Sequence, residues 1–209
     1  MRRLPVYLLL DTSGSMRGEP IEAVRKGVES FCATLRRDPY ALESAYVSVI
    51  TFGGSVKQIV PLTEAYLFRA PELVAGGGTP LGGALRKVVE CADEEVKKST
   101  EDEKGDWRPL VFIMSDGRPS GSEPVRLIAE FKKRSWGTVV ACGTEGADFD
   151  LLRKITETVV RLNKTDVNSI AAFFKWVSAS VASSSRALDR AGDARDELPP
   201  PPPEIQLVW

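Results

Sequence analysis

Leu4-Pro5-Val6-Tyr7-Leu8-Leu9-Leu10-Asp11-Thr12-Ser13-Gly14-Ser15 is the stretch from which the architecture of this chain can be worked out. Its first seven residues are a short apolar run bounded by polar turn residues, the pattern of a strand buried on both faces. Where the run ends, one carboxylate and two hydroxyls follow at alternate positions, Asp11, Ser13 and Ser15. Gly14 lets the backbone turn tightly between them. Such oxygen donors suit a hard cation, Mg²⁺ or Mn²⁺, which takes carboxylate, hydroxyl and water oxygens in near-octahedral geometry.

Outward from this stretch, strands and helices alternate. Ile21, Val24, Val28, Phe31 and Leu35 recur at helical spacing after Glu19-Pro20, and Asp38-Pro39 ends that helix. Residues 46–52 read as a strand, Gly53-Gly54 as a hairpin turn, and residues 55–60 as a more polar, antiparallel edge strand. A short helical stretch is expected within residues 62–73. Gly76-Gly77-Gly78-Thr79-Pro80 then opens a helix whose Leu81, Leu85, Val88 and Ala92 share one face. After a charged loop, residues 110–114 form an apolar strand that runs into Ser115-Asp116-Gly117. A helix near 123–134, a strand at 137–142, a helix near 149–156 and a strand at 159–162 follow. A last helix from about residue 169 carries Ile170, Phe173, Phe174, Val177 and Val181.

This alternation predicts a three-layer α/β/α fold: a doubly wound, mostly parallel six-stranded sheet with one antiparallel edge strand. In the strand order 3-2-1-4-5-6, strands one and four are neighbours at the switch point, and ligands bind beyond their C-terminal ends. With the edge hairpin counted in, Asp11 follows strand one and Asp116 follows strand four. The two carboxylates therefore converge on one crevice.

Asp11-x-Ser13-x-Ser15, Thr79 in a later loop and Asp116 after a later strand together resemble the metal-ion-dependent adhesion site of the von Willebrand factor A domain. The likeness covers residues 4–182, and the metal-site motifs are its specific part. It implies that Ser13, Ser15 and, in the ligand-engaged state, Thr79 coordinate Mg²⁺ or Mn²⁺, with Asp11 and Asp116 acting largely through water. It also implies that a partner's carboxylate completes the coordination, so that the chain is a protein-binding module and not an enzyme. Within the family the chain is similar to the TerY-like proteins of bacterial tellurite-resistance and stress clusters. That similarity implies a Ser/Thr kinase and a PP2C-type phosphatase as partners, with Thr12, Ser13, Ser15 and Thr79 as candidate phosphosites. An alternative setting is a chaperone-like adaptor for a MoxR-type AAA+ ATPase.

Each motif residue also has an ordinary reading. Asp11 and Thr79 suit helix caps, Ser13 and Ser15 suit turns, and Asp116-Gly117 is a common turn pair. A haloacid-dehalogenase-like phosphatase also places an Asp at the end of strand one. It needs a second Asp two residues on as acid/base, and Ser13 stands there. The glycines 76–78 lack the following Gly-Lys-Ser/Thr of a P-loop.

Composition narrows the function further. A formal net charge of −1 points to neither nucleic acid nor an anionic membrane surface as partner. No apolar stretch approaches the roughly 20 residues of a membrane span. Arg2 and Arg3 before the apolar run mimic a signal peptide, but Asp11 interrupts it. Three widely spaced cysteines, Cys32, Cys91 and Cys142, sit in apolar patterns and suit buried free thiols of a reducing, cytoplasmic compartment. The chain has no histidine, which removes Ser-His-Asp and Cys-His catalysis and His-ligated metals.

At 209 residues and 43% hydrophobic, the chain suits one domain over residues 1–185 and a tail over 186–209. The tail's prolines, Pro199 to Pro203, favour an extended spacer. Beyond them Ile205, Leu207 and Trp209 are candidate docking residues for a partner or for the domain's own surface.

Overall fold

The computed structural model describes residues 2–116, 118–119, 124–144, 146–164, 166–191 and 198–208. All eight residues of β1 (Leu4–Asp11) are buried, so this strand takes the middle of the sheet. It pairs in parallel with β2 (Ala45–Phe52) on one side and β4 (Leu110–Ser115) on the other. β3 (Val56–Glu64) runs antiparallel to β2. β5 (Val139–Gly143) and β6 (Thr158–Leu162) extend the parallel part beyond β4. β7 (Ile205–Leu207) is antiparallel to β6 and closes that side. The order β3-β2-β1-β4-β5-β6-β7 is the expected doubly wound sheet with one strand more.

Alternation along β1 divides the core in two. Leu8 and Leu10 face α1 (Glu19–Leu35) and α6 (Val167–Ala191), packing with Val28, Phe31, Phe174 and Val177. Tyr7 and Leu9 face α3 (Leu81–Glu95), α4 (Pro124–Lys133) and α5 (Phe149–Ile155), packing with Leu85, Phe131 and Leu152. α1 and α6 lie close because Gly27 has no side chain; a Cβ there would run into the Phe174 ring.

Four local expectations differ from the structure. Asp38-Pro39 ends α1 but also starts a short helix, α2 (Pro39–Ser44), capped by Asp38 Oδ1 accepting from the Ala41 amide at 3.0 Å. β3 continues to Glu64, and residues 65–80 hold no helix. A tertiary contact carries β3 onward: Glu95, at the end of α3, accepts from the Leu62 amide at 3.0 Å, the Tyr7 hydroxyl at 3.0 Å and the Gln58 side chain at 2.9 Å. α6 reaches Ala191, so a boundary between residues 185 and 186 falls inside a helix.

The fourth difference is the seventh strand. The tail lies on the domain's own sheet: the Trp176 indole donates to the Pro199 carbonyl at 2.7 Å, and the Val208 amide to the Val159 carbonyl at 2.9 Å. Ile205 is only 3% exposed, Leu207 is 38% exposed, and Trp209 lies outside the described residues. Among the described residues, no helix is long and apolar enough to cross a membrane.

Cys32, Cys91 and Cys142 are buried free thiols. Burial pushes Cys32 up to about 12, Cys91 up to about 11, and Cys142 upward as well. Because the thiolate is the reactive form, a disulfide reagent at neutral pH should titrate none of the three in the native chain and all three in denaturant. Rapid native labelling would contradict this packing.

Candidate metal centre

β1 and β4 deliver the two carboxylates side by side at the C-terminal crest of the sheet, as the switch-point argument requires. Asp11 is 1% exposed and both of its oxygens are engaged. Oδ1 accepts from the Ser13 amide at 2.8 Å, and Oδ2 accepts from the Ser115 hydroxyl at 2.7 Å. The first bond folds residues 11–13 into a side-chain-supported turn. A 3₁₀ turn, Gly14–Met16, follows and brings Ser15 back over Ser13.

The hydroxyls of Ser13 and Ser15 stand 2.9 Å apart, and Ser15 Oγ donates to Asp116 Oδ1 at 2.9 Å. Three oxygens from two loops thus form one chain above the Asp11 turn. In an Mg²⁺ octahedron with bonds of about 2.0–2.1 Å, neighbouring oxygens stand about 2.9 Å apart. The two separations here are those of ordinary O–H···O hydrogen bonds, so the hydroxyls stand at octahedral spacing without having to move apart.

Charge balance points the same way. Asp116 is half-buried; desolvation raises its pKa, the Ser15 hydrogen bond opposes this, and repulsion from Asp11 adds to the rise. Among the described residues, neither carboxylate is paired with a lysine or arginine. A raised folded-state pKa means stability fully present at low pH and lost as pH rises through that value. A cation at the Ser13–Ser15–Asp116 oxygens would remove this penalty. The donor set of hydroxyls and carboxylates fits a hard divalent ion.

Thr79 is 6% exposed and stands just before α3, on the loop that packs against the Ser13–Ser15 turn. Backbone bonds lock the loops together. The Gly14 amide donates to Gly77 at 2.9 Å, Gly76 to Thr12 at 2.7 Å, and Gly54 to Gly76 at 2.7 Å. Gly77 has φ +77°, and a Cβ there would run into the Gly54 backbone.

The structure therefore gathers Asp11, Ser13, Ser15 and Asp116 directly and sets the Thr79 loop against them. Ser115 and the Gly54–Gly77 approach were not singled out from sequence. A hydroxyl immediately before Asp116, at the end of a buried strand, was the available signal for Ser115.

Gly77→Ala combines a disfavoured φ with a steric conflict and should cost about 1–3 kcal/mol of stability. It should also weaken Mg²⁺ binding measured by calorimetry. Unchanged Mg²⁺ affinity would show that this loop does not set the site.

The model of the von Willebrand factor type A domain matches residues 6–175. No curated protein matches the sequence. Among solved structures, proximal thread matrix protein 1 from the mussel byssus is 20% identical with a TM-score of 0.61, over 85% of this chain and 48% of that one. The same mussel protein with a zinc-occupied MIDAS motif is 18% identical with a TM-score of 0.60, over 88% and 46%. The pilus adhesin SpaC from Lactobacillus rhamnosus GG is 15% identical with a TM-score of 0.70, over 88% and 30%. The chain spans about half or less of the length of these structures, and at such identities the likeness is one of fold. With the family model matched from β1 into α6, the chain belongs to the von Willebrand factor type A domain family.

Proposed function

We propose that this chain is a divalent-metal-dependent protein-binding module. Mg²⁺ or Mn²⁺ is held by Ser13, Ser15 and Thr79, backed by Asp11 and Asp116, and a carboxylate from a partner protein completes its coordination. The observation that carries this reading is the convergence of the Ser13, Ser15 and Asp116 oxygens over a buried Asp11, with no protein cation in the site among the described residues. Neutral hydroxyls leave the ion with unspent positive charge, which favours an anionic oxygen from outside. The zinc-occupied motif of the mussel protein supports a divalent ion at this position in the fold. The hard oxygen donors favour Mg²⁺ or Mn²⁺.

The module binds and does not turn over substrate in this reading: Ser13 replaces the acid/base carboxylate that a phosphatase needs. Its setting is a cytoplasmic phosphorylation system of the TerY-like kind, with a kinase and a PP2C-type phosphatase. Three buried free thiols support a reducing compartment. Ser15 is the exposed member of the phosphosite set, whereas Thr12, Ser13 and Thr79 are buried. A phosphate on Ser15 would sit at the metal oxygens and compete with partner binding.

Saturating Mg²⁺ should raise the melting temperature, because an ion at about 100 times its Kd adds about 2.7 kcal/mol to stability. Ser15→Ala and Asp116→Asn should each weaken Mg²⁺ affinity by about tenfold or more, on the scale of one lost polar contact to a charged group. Mg²⁺ affinity equal to wild type in both variants would remove the site. Phosphopeptide mapping after co-expression with a genomically neighbouring kinase should find phosphate on Ser15. Phosphate only outside residues 12–15 and 79 would discard regulation at the metal.

A further inference from the structure

The metal crest shares a wall with a cavity of ≈ 410 Å³. The cavity lies between the β2–β3 hairpin and the segment 72–76, and its volume falls within the roughly 300–1,000 Å³ of ligand pockets. The common wall is one layer of backbone, where the Gly76 amide meets the Thr12 carbonyl. Thr12 lies between Asp11 and Ser13, and Gly76 is three residues before Thr79. A chain that reaches the metal from this side passes over the cavity.

The cavity's chemistry separates from that of the metal. Ile59, Leu73 and Ala75 give it an apolar wall. Lys57 from the hairpin and Glu72 from the opposite segment add one charge of each sign, so the cavity selects neither ion. Val74, which also lines the cavity, is 84% exposed. Next to the wall, Arg17 places its guanidinium beside Gly76, exposed and without an ion pair among the described residues. Its charge complements an acidic segment.

We infer that the partner is a protein segment in which a carboxylate-bearing residue is neighboured by a large apolar side chain. The carboxylate reaches the metal, the apolar side chain fills the cavity lined by Ile59, Leu73 and Ala75, and Arg17 favours further acidic residues. The inference rests on the metal-dependent binding reading and adds selection of the partner to it.

The probe is an immobilised peptide array with a fixed central Asp and each residue type varied at the adjoining positions. Wild-type protein is applied in Mg²⁺ and in EDTA. Leu, Ile, Met or Phe at one adjoining position should strengthen Mg²⁺-dependent binding about tenfold or more over Ala, the scale of burying one apolar side chain.

Ser55→Trp, from an exposed turn residue on the cavity rim, should cancel the ratio of apolar-flanked to Ala-flanked binding while leaving Mg²⁺ affinity unchanged. Val74→Asp should reduce the same preference, and Arg17→Gln should weaken all acidic peptides. Both sites are exposed, and a melting curve checks that each variant folds. Binding that needs Asp and Mg²⁺ but shows no apolar preference, or a preference that survives Ser55→Trp, overturns the cavity's role alone. Equal binding in Mg²⁺ and EDTA overturns the metal-dependent reading, and the cavity inference with it.

Discussion

Asp11 is a carboxylate held almost out of solvent without a cationic side chain among the described residues to neutralise it. Burying an unpaired charge costs several kcal/mol unless hydrogen bonds and a counter-charge offset it. Here the Ser13 amide and the Ser115 hydroxyl supply the first compensation. A cation over the Ser13, Ser15 and Asp116 oxygens would supply the second. That requirement dictates the local path of the chain: residues 11–15 must curl so that an amide points back at Asp11 while two hydroxyls point outward. Parallel pairing of β1 with β4 then brings Asp116 to the outer side of those hydroxyls.

The crest is held by backbone contacts more than by side chains. Gly14, Gly54, Gly76 and Gly77 exchange or receive amide–carbonyl bonds across three loops, and the Gly54–Gly77 approach leaves no room for a Cβ on Gly77. Such contacts keep the hydroxyls in place before any ligand arrives, which lowers the ordering cost of binding. The same glycine segment separates the crest hydroxyls from the cavity. One piece of backbone therefore positions both the crest hydroxyls and one side of the cavity.

Both edges of the sheet are finished with antiparallel strands. β3 carries Lys57, Pro61 and Glu64, residue types that blunt an open edge. β6 is covered by the chain's own β7, tied down by Trp176 and Val159 and by insertion of Ile205 into the core beside α6. The family model ends at residue 175, inside α6, so this cover belongs to a part of the chain beyond the matched region.

Periodicity and strand-end chemistry were enough to read the doubly wound sheet, its order around β1 and β4, and the convergence of Asp11 with Asp116. Those features follow from local patterns: apolar runs, helical spacing, and polar residues where a buried strand stops. The hydroxyl pair was legible for the same reason, since Ser13 and Ser15 lie in the turn that their own neighbour Asp11 supports. What the sequence left open depended on contacts between distant residues. β3 continues past residue 60 because Glu95, 33 positions beyond Leu62, accepts its amide. Ile205–Leu207 becomes a strand only because β6 offers an unpaired edge more than 40 residues earlier. Ser115 acquires its role from Asp11, 104 positions away, and the cavity lies where the β2–β3 hairpin faces residues 72–76. Local pattern determined the elements and the metal-type donors; tertiary packing decided the sheet's last strand and the surface around the site, because those depend on pairings that no single stretch of sequence encodes.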